Sequence, residues 1–303
     1  MISFQNFDQW QAVVGFAMFA FFGLLYPLVG DKAVFFKVIF LIAVAIAIAA
    51  PFGVSISQDA QERLTNRTGK MVHCMTFILL FYCYIYKEIL QTHHRYFFWF
   101  CYALGCYSLF ELFCVDVLLG SRYQFVKSLF PWLNSNFGII DFNFTAFINY
   151  FIKFIFLNLF LQDSFQNLTL KKVFQYLMWT LIVFESIQVF VFKSYQGYDS
   201  VSSTVKNIFI LGSFSLLLYR IYTQKNGSMS LQKNPYFWIC LGLILPALAE
   251  LFLEFVFTKL YQTDLISFYK LYLVRNASQM IGFTLLIVGV WQVKYLRFLP
   301  KVY

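Results

Sequence analysis

Four ionisable residues stand inside long apolar runs, where lipid rather than water is the expected solvent: Glu111, Lys153, Glu185 and Glu250. A charge at the centre of a membrane helix costs about 2.5–3.5 kcal/mol on insertion scales, so such residues pair, line a polar cavity or carry protons. Glu254 follows Glu250 by one helical turn in PALAELFLEFVF (Pro246–Phe257). Together with Lys37 and Asp116 it lies nearer the end of its run, where a side chain can reach toward the headgroups. A carboxyl left unpaired at such depth is a candidate proton carrier, because desolvation favours its neutral form. A carboxylate matched by a base instead fixes how helices meet.

Antiparallel geometry brings several of these residues to one depth. A turn near Asp264 and Leu265 sets positions equidistant from it side by side, so that Glu254 comes level with Arg275 and Glu250 with Gln279. Arg275, Asn276, Gln279 and Gly282 share one helical face, and Gly242, Pro246, Glu250 and Glu254 recur every four residues on the other helix. Two such polar, small-residue stripes satisfy one another and permit close approach. A turn near Asn167 likewise puts Asn149 level with Glu185, with Lys153 one turn away and within reach of that carboxylate. Cys101, Gly105, Ser108 and Glu111 form a further stripe whose partner the long flanking loop hides. Two readings stay open. The polar residues are hydrogen bonds and ion pairs that fix packing, or they line a shared cavity formed by Glu111, Lys153, Glu185, Glu250 and Gln279. Pro246 frees a backbone carbonyl in its helix one turn before Glu250, which fits packing better than gating.

The elements that must position these residues are membrane helices. Of 303 residues, 60% are hydrophobic, 22% aromatic and only 12% charged, against roughly 25% charged in a soluble domain. A spanning helix needs about 20 apolar residues. Such runs occur at 9–29, 33–53, 71–90, 97–119, 139–161, 173–193, 204–222, 236–258 and 270–295, about nine in all. Their length, and the lack of period-2 alternation, specify an all-α polytopic helix bundle rather than a barrel. The first two form a tight hairpin at Asp31 and Lys32, or one of them is re-entrant. The longest loops are the polar 54–70 and the semi-polar 120–138. No linker, repeat or soluble domain interrupts the chain, so 1–303 reads as one membrane domain. The first ten residues lack the basic region and cleavage site of a signal peptide, so the first apolar run is expected to stay.

The net charge of +9 is dispersed over short loops. That pattern suits lipid headgroups and excludes a nucleic-acid footprint. Arg63, Arg67, Lys70, Arg122, Lys127, Lys193, Lys206, Lys259 and Lys270 fall on one side, nine in number. Lys32, Lys87, Arg95, Lys171, Lys172, Arg220, Lys225, Lys233, Lys294, Arg297 and Lys301 fall on the other, eleven in number. The excess favours a cytoplasmic C-terminus. Five glycosylation-type sequons, at Asn66, Asn143, Asn167, Asn226 and Asn276, fall on both sides and are read as chance.

Little catalytic chemistry is written in the chain. The three histidines are His73, at the start of a span, and His93 with His94, read as a headgroup-facing loop pair. Paired transmembrane histidines, HExxH, a phosphate loop and an acidic lipid-phosphate motif are all missing from the sequence. The serines of GSFSL at Gly212 have no intramembrane histidine beside them, and the last span has no central lysine for a retinal Schiff base. The six cysteines, Cys74, Cys83, Cys101, Cys106, Cys114 and Cys240, all sit in apolar runs as small packing residues. No catalytic, cofactor or metal site is expected.

The stretch LQKNPYFWICLGLIL (Leu231–Leu245), followed by IGFTLLIVGVW (Ile281–Trp291), resembles a group of bacterial multi-pass proteins similar to the membrane input segments of histidine kinases. The shared look is a short polar loop, Asn-Pro with an aromatic and Trp, Gly early in one helix, and Trp closing the last. PALAELFLEF departs from the neutral run expected there. The resemblance implies a sensor or signalling component in the bacterial inner membrane, acting through a separate protein partner. Together with the bilayer itself, such a partner fits a membrane subunit of a larger assembly. The alternative is a proton- or ion-coupled transporter or channel using Glu111, Glu185 and Glu250. No inverted repeat or pair of broken helices, the usual pointers to a transport site, is evident.

Overall fold

The computed structural model describes residues 58–113, 145–196, 199–223 and 233–294. These are almost entirely helical. In chain order they are α1 (Gln58–Ile85), α2 (Lys87–His93), α3 (Arg95–Phe113), α4 (Ala146–Ile152), a π-helical turn (Lys153–Leu157), α5 (Asn158–Ser164), α6 (Leu168–Phe190), α7 (Ser200–Thr223), α8 (Pro235–Thr263) and α9 (Leu265–Trp291). Among the described residues, five stretches are long and apolar enough to cross a membrane: Gln61–Ile85, Leu168–Phe190, Ser200–Thr223, Pro235–Val256 and Leu265–Lys294. The expected spans 9–29 and 33–53, together with Lys37 and Asp116, lie outside the described residues.

Local sequence sets the helix ends. Asn167 accepts hydrogen bonds from the backbone of Thr169 (2.8 Å) and Leu170 (3.3 Å), starting α6. Asn234 accepts from Tyr236 N at 3.0 Å ahead of Pro235, whose missing N–H costs nothing in the first turn. Asp264 closes the α8–α9 hairpin, accepting from Ser267 N at 3.1 Å and from the Ser267 hydroxyl at 2.6 Å. These bonds to its ionised form hold the exposed Asp264 carboxyl below the usual aspartate range.

Two sequence expectations are corrected here. The polar stretch 54–70, read as a loop, is helical from Gln58 onward, and the span expected at 71–90 ends at Ile85. Polarity misled because QDAQERLTNRTGK contains good helix formers and no proline. Its Gln61 and Thr65 turn inward and are buried. Asn276 of α9 donates to Thr65 O (3.2 Å) and to Thr68 Oγ1 (2.9 Å), bonding the polar part of α1 to the bundle.

α9 is the central helix, packed along α8 and α1, while α7 packs on α8. The α8–α9 contact is backbone to backbone. A Cβ built on Gly242 would lie 2.8 Å from Gly282 O, and one on Gly282 would lie 2.6 Å from Gly242 O with the Pro246 ring beside it. The small-residue stripes read from the sequence thus meet at Gly242, Pro246 and Gly282. Part of the same core is aromatic: Phe154, Phe160 and Phe214 are fully buried, and the Phe160 and Phe214 rings stack at 6.2 Å. The exposed surface is apolar, with Tyr176, Trp179, Val183, Ile187 and Phe190 displayed along α6. That inversion suits a lipid environment.

Candidate functional site

Chain direction sorts the polar residues into two ends of the bundle. α3 and α6 finish, and α1, α4, α7 and α9 begin, at the end where the α8–α9 hairpin turns. Toward that end lie Glu111, Lys153, Glu185, Lys206, Glu250, Arg275 and Gln279. At the opposite end lie His94, Asp163 and Tyr236.

The first group is organised around Glu250, which is 5% exposed. Its Oε2 accepts from Lys206 Nζ at 2.5 Å. Its Oε1 accepts from Gln279 Nε2 and lies 3.8 Å from Arg275 Nε. Three helices, α7, α8 and α9, therefore converge on one carboxylate. A buried charge is tolerated when it is matched and hydrogen-bonded, and removing one partner of such a pair is far more costly than removing both. The Lys206 ammonium also lies 5.5 Å from the centre of the Tyr150 ring, which favours the cation. One turn beyond Glu250, the partly buried Glu254 acts on Tyr150.

Further charges border this centre. Lys153 opens the π-helical turn and sits in the field of Lys206, Glu250, Arg275 and Glu111. The turn is helped by Asn158, whose side-chain amide donates to Phe154 O at 2.7 Å. Glu111 lies 3.6 Å from His73 Nε2 of α1, which supplies the partner that the α3 stripe lacked in the sequence. Tyr107, on the same stripe as Glu111, is 3.4 Å from Thr145 Oγ1.

Several expected contacts are corrected. Glu185 does not meet Lys153 or Asn149. Among the described residues the groups acting on it are Ser202 and Asp199, both from the start of α7. The reason is rotational: Lys153 turns toward α7, α8 and α9, while Glu185, fully buried on α6, faces the α6–α7 connection. Glu185 also lies five residues from the end of α6 at Phe190 rather than near its centre. Asn149 is partly buried, with its Oδ1 closed off from solvent. Asn276 faces α1 rather than α8, and its burial at 2% exposure rules out its sequon. His94 is no headgroup-facing residue. At 3% exposure it breaks the chain between α2 and α3, bonds Tyr236 Oη through Nε2 at 2.5 Å, and lies 3.7 Å from Asp163 through Nδ1.

Lys206 is the residue that sequence reasoning missed. An apolar run that starts at 204 places Lys206 at a span edge among the headgroup lysines. α7 begins at Ser200, and Ser202, Ser203, Lys206, Asn207 and Ser213 are all buried. The polar stripe at positions 202, 203, 206 and 207 was legible as helical spacing once the helix was begun early enough.

Apolar crossing helices and a buried charge cluster together define a helical, multi-pass membrane protein. Compared with protein-family models, curated proteins and solved structures, the chain finds no match in any of the three.

Proposed function

We propose that this is a non-enzymatic membrane protein that works as a sensor or as a membrane-embedded subunit of a larger assembly. The observation that carries this reading is the saturation of Glu250 by Lys206, Gln279 and Arg275. A carboxylate held from two neighbouring helices suits a fixed packing element better than a carrier that must load and release an ion. The apolar aromatic faces of α6 and α8, including Trp179, Phe252 and Phe255, supply surface for lipid and for a protein partner.

In this reading the chain crosses a bacterial inner membrane about nine times, and the partner supplies the signalling output that the resemblance to kinase input segments implies. The C-terminus is cytoplasmic. With buried Lys206 set aside, eight surface charges remain on its side against eleven on the other. The Glu250 network then lies toward the outer face.

The test is purification in mild detergent followed by native mass spectrometry. A stoichiometric protein partner is expected, and Lys206→Met should weaken its retention. A solitary protein, combined with Glu250→Gln that stays folded but loses ion flux in vesicles, would favour the second reading, a proton- or ion-coupled transporter or channel. One observation supports that alternative: Glu185 is fully buried without a basic partner among the described residues.

A further inference from the structure

We propose that Glu185, Asp199 and Ser202 form a binding site for a small cation that prefers hard oxygen donors, an alkali-metal ion such as Na+ being the type. The site is independent of the assembly reading above.

The α6–α7 connection builds it. Asp199 precedes α7, and its Oδ1 accepts from Ser202 N at 2.9 Å, which fixes the carboxylate at the helix start. Ser202, in the first turn, and Glu185, near the end of α6, are both 0% exposed. Four oxygens, Glu185 Oε1 and Oε2, Asp199 Oδ2 and Ser202 Oγ, are closed off from solvent without a hydrogen bond of ordinary geometry, although the Ser202 hydroxyl lies near enough to Glu185 to act on it as a donor. The groups that act on Glu185 are the Ser202 hydroxyl and the Asp199 carboxylate.

Charge makes the case specific. Two carboxylates brought together out of water repel each other and lose hydration, so the arrangement calls for a positive charge between them. Elsewhere in the bundle the protein supplies that charge, as Lys206 does for Glu250. Here it does not. Among the described residues, the titratable groups on the neighbouring elements include Tyr150 on α4, Lys153 on the π-helical turn, Asp163 on α5, Lys193 and Tyr195 in the connection, and Lys206 on α7. None of them is among the groups acting on Glu185. Lys153 is committed to the field of the Glu250 network, and Lys193 is exposed.

The donor set selects the class of ion. Among the described residues, no three His, Cys, Asp or Glu gather around one point, which is not the pattern of a transition-metal site. Carboxylate and hydroxyl oxygens suit a hard cation. The start of a helix beside a buried carboxylate would ordinarily attract anions, but the two acids outweigh it. Asp199 also acts on Tyr150, whose ring stands under the Lys206 ammonium, so occupancy would be felt at the Glu250 network.

The test uses the full chain in detergent at fixed pH and ionic strength, with its unfolding temperature followed as Na+, Li+, K+ or Ca2+ replaces choline. One of these ions is expected to raise the unfolding temperature saturably, on the order of 5 °C at a hundredfold excess over its dissociation constant. Glu185→Gln and Asp199→Asn should abolish the rise, while the exposed Glu88→Gln should keep it. Ser202→Ala, a small change tolerated in a helix, should shift the half-saturating concentration upward several-fold, and so reads the site even if the acid variants fold poorly. The same response to every ion as to choline, or a response retained in Glu185→Gln with an unshifted half-saturating concentration in Ser202→Ala, would overturn the proposal. So would a repeat of the series at a second fixed pH in which the unfolding temperature moves with pH and with none of the ions, which would make the site one for a proton only.

Discussion

Glu250 and Glu185 are the same side chain, buried to nearly the same degree, in the same half of one bundle. Glu250 is bonded by Lys206 and Gln279 and approached by Arg275. Glu185 has a serine and a second acid for neighbours. Burial alone therefore does not define the setting of an intramembrane carboxylate. The neighbouring groups differ: Glu250 is matched by cations and an amide, whereas the groups acting on Glu185 among the described residues carry no positive charge.

The comparison can be broken most sharply at Lys206. Lys206→Met leaves Glu250 buried with its closest cation gone, and should cost about 3–5 kcal/mol. Lys206→Met combined with Glu250→Leu should recover most of that loss, because neither charge then remains to be matched. Thermal unfolding of single and double variants in one detergent checks both statements. Equal losses in the single and double variants would mean that the ion pair is not the source of the stability.

Gly282→Ala tests whether the Glu250 side depends on close helix approach. Its new methyl meets the Gly242 carbonyl and the Pro246 ring, so α8 and α9 must part, at a cost of about 1–3 kcal/mol. Cross-linking between cysteines placed on the two helices should slow along with the fall in melting temperature. Glu185→Gln sharpens the contrast from the other side. It removes an unmatched charge, so in choline buffer the melting temperature should hold or rise. A large fall there would mean that Glu185 has a partner equivalent to Lys206.

The smallest effect is expected at the hairpin turn. The Asp264 carboxyl is held below its usual range by Ser267, so its stabilisation is complete above the ordinary aspartate value and is lost as pH falls through the lowered one. Asp264→Asn should flatten only that acid-side slope and leave stability at neutral pH nearly unchanged, as a pH series of melts would reveal.

How much of this was legible followed from how local the signal was. The α8–α9 hairpin was readable because a short turn at Asp264 fixes which residues share a depth, and Gln279 does reach Glu250. The Gly242 and Gly282 stripes were readable for the same reason. Lys206 was not, because hydropathy starts a helix where the apolar run starts, and three of the four α7 positions before it, Ser200, Ser202 and Ser203, are polar. Nor was the pairing of Glu111 with His73, since nothing in local spacing says which distant helix lies beside α3. The Lys153–Glu185 expectation failed on rotation: depth can be counted along a helix, but facing direction cannot once a π-helical turn intervenes.

That turn carries a further consequence. An ordinary helix advances about 100° per residue, and a π-helical turn absorbs one residue beyond the usual count. Residues before Lys153 and after Leu157 are therefore out of step, like two threads of a screw cut with a slip between them. Tyr150 can look toward the charges while Phe160 and Leu161 look into the aromatic core. Deleting one residue between Lys153 and Leu157 would bring the threads back into step and swing one half of the segment by about 100°, turning either its polar or its aromatic side toward lipid.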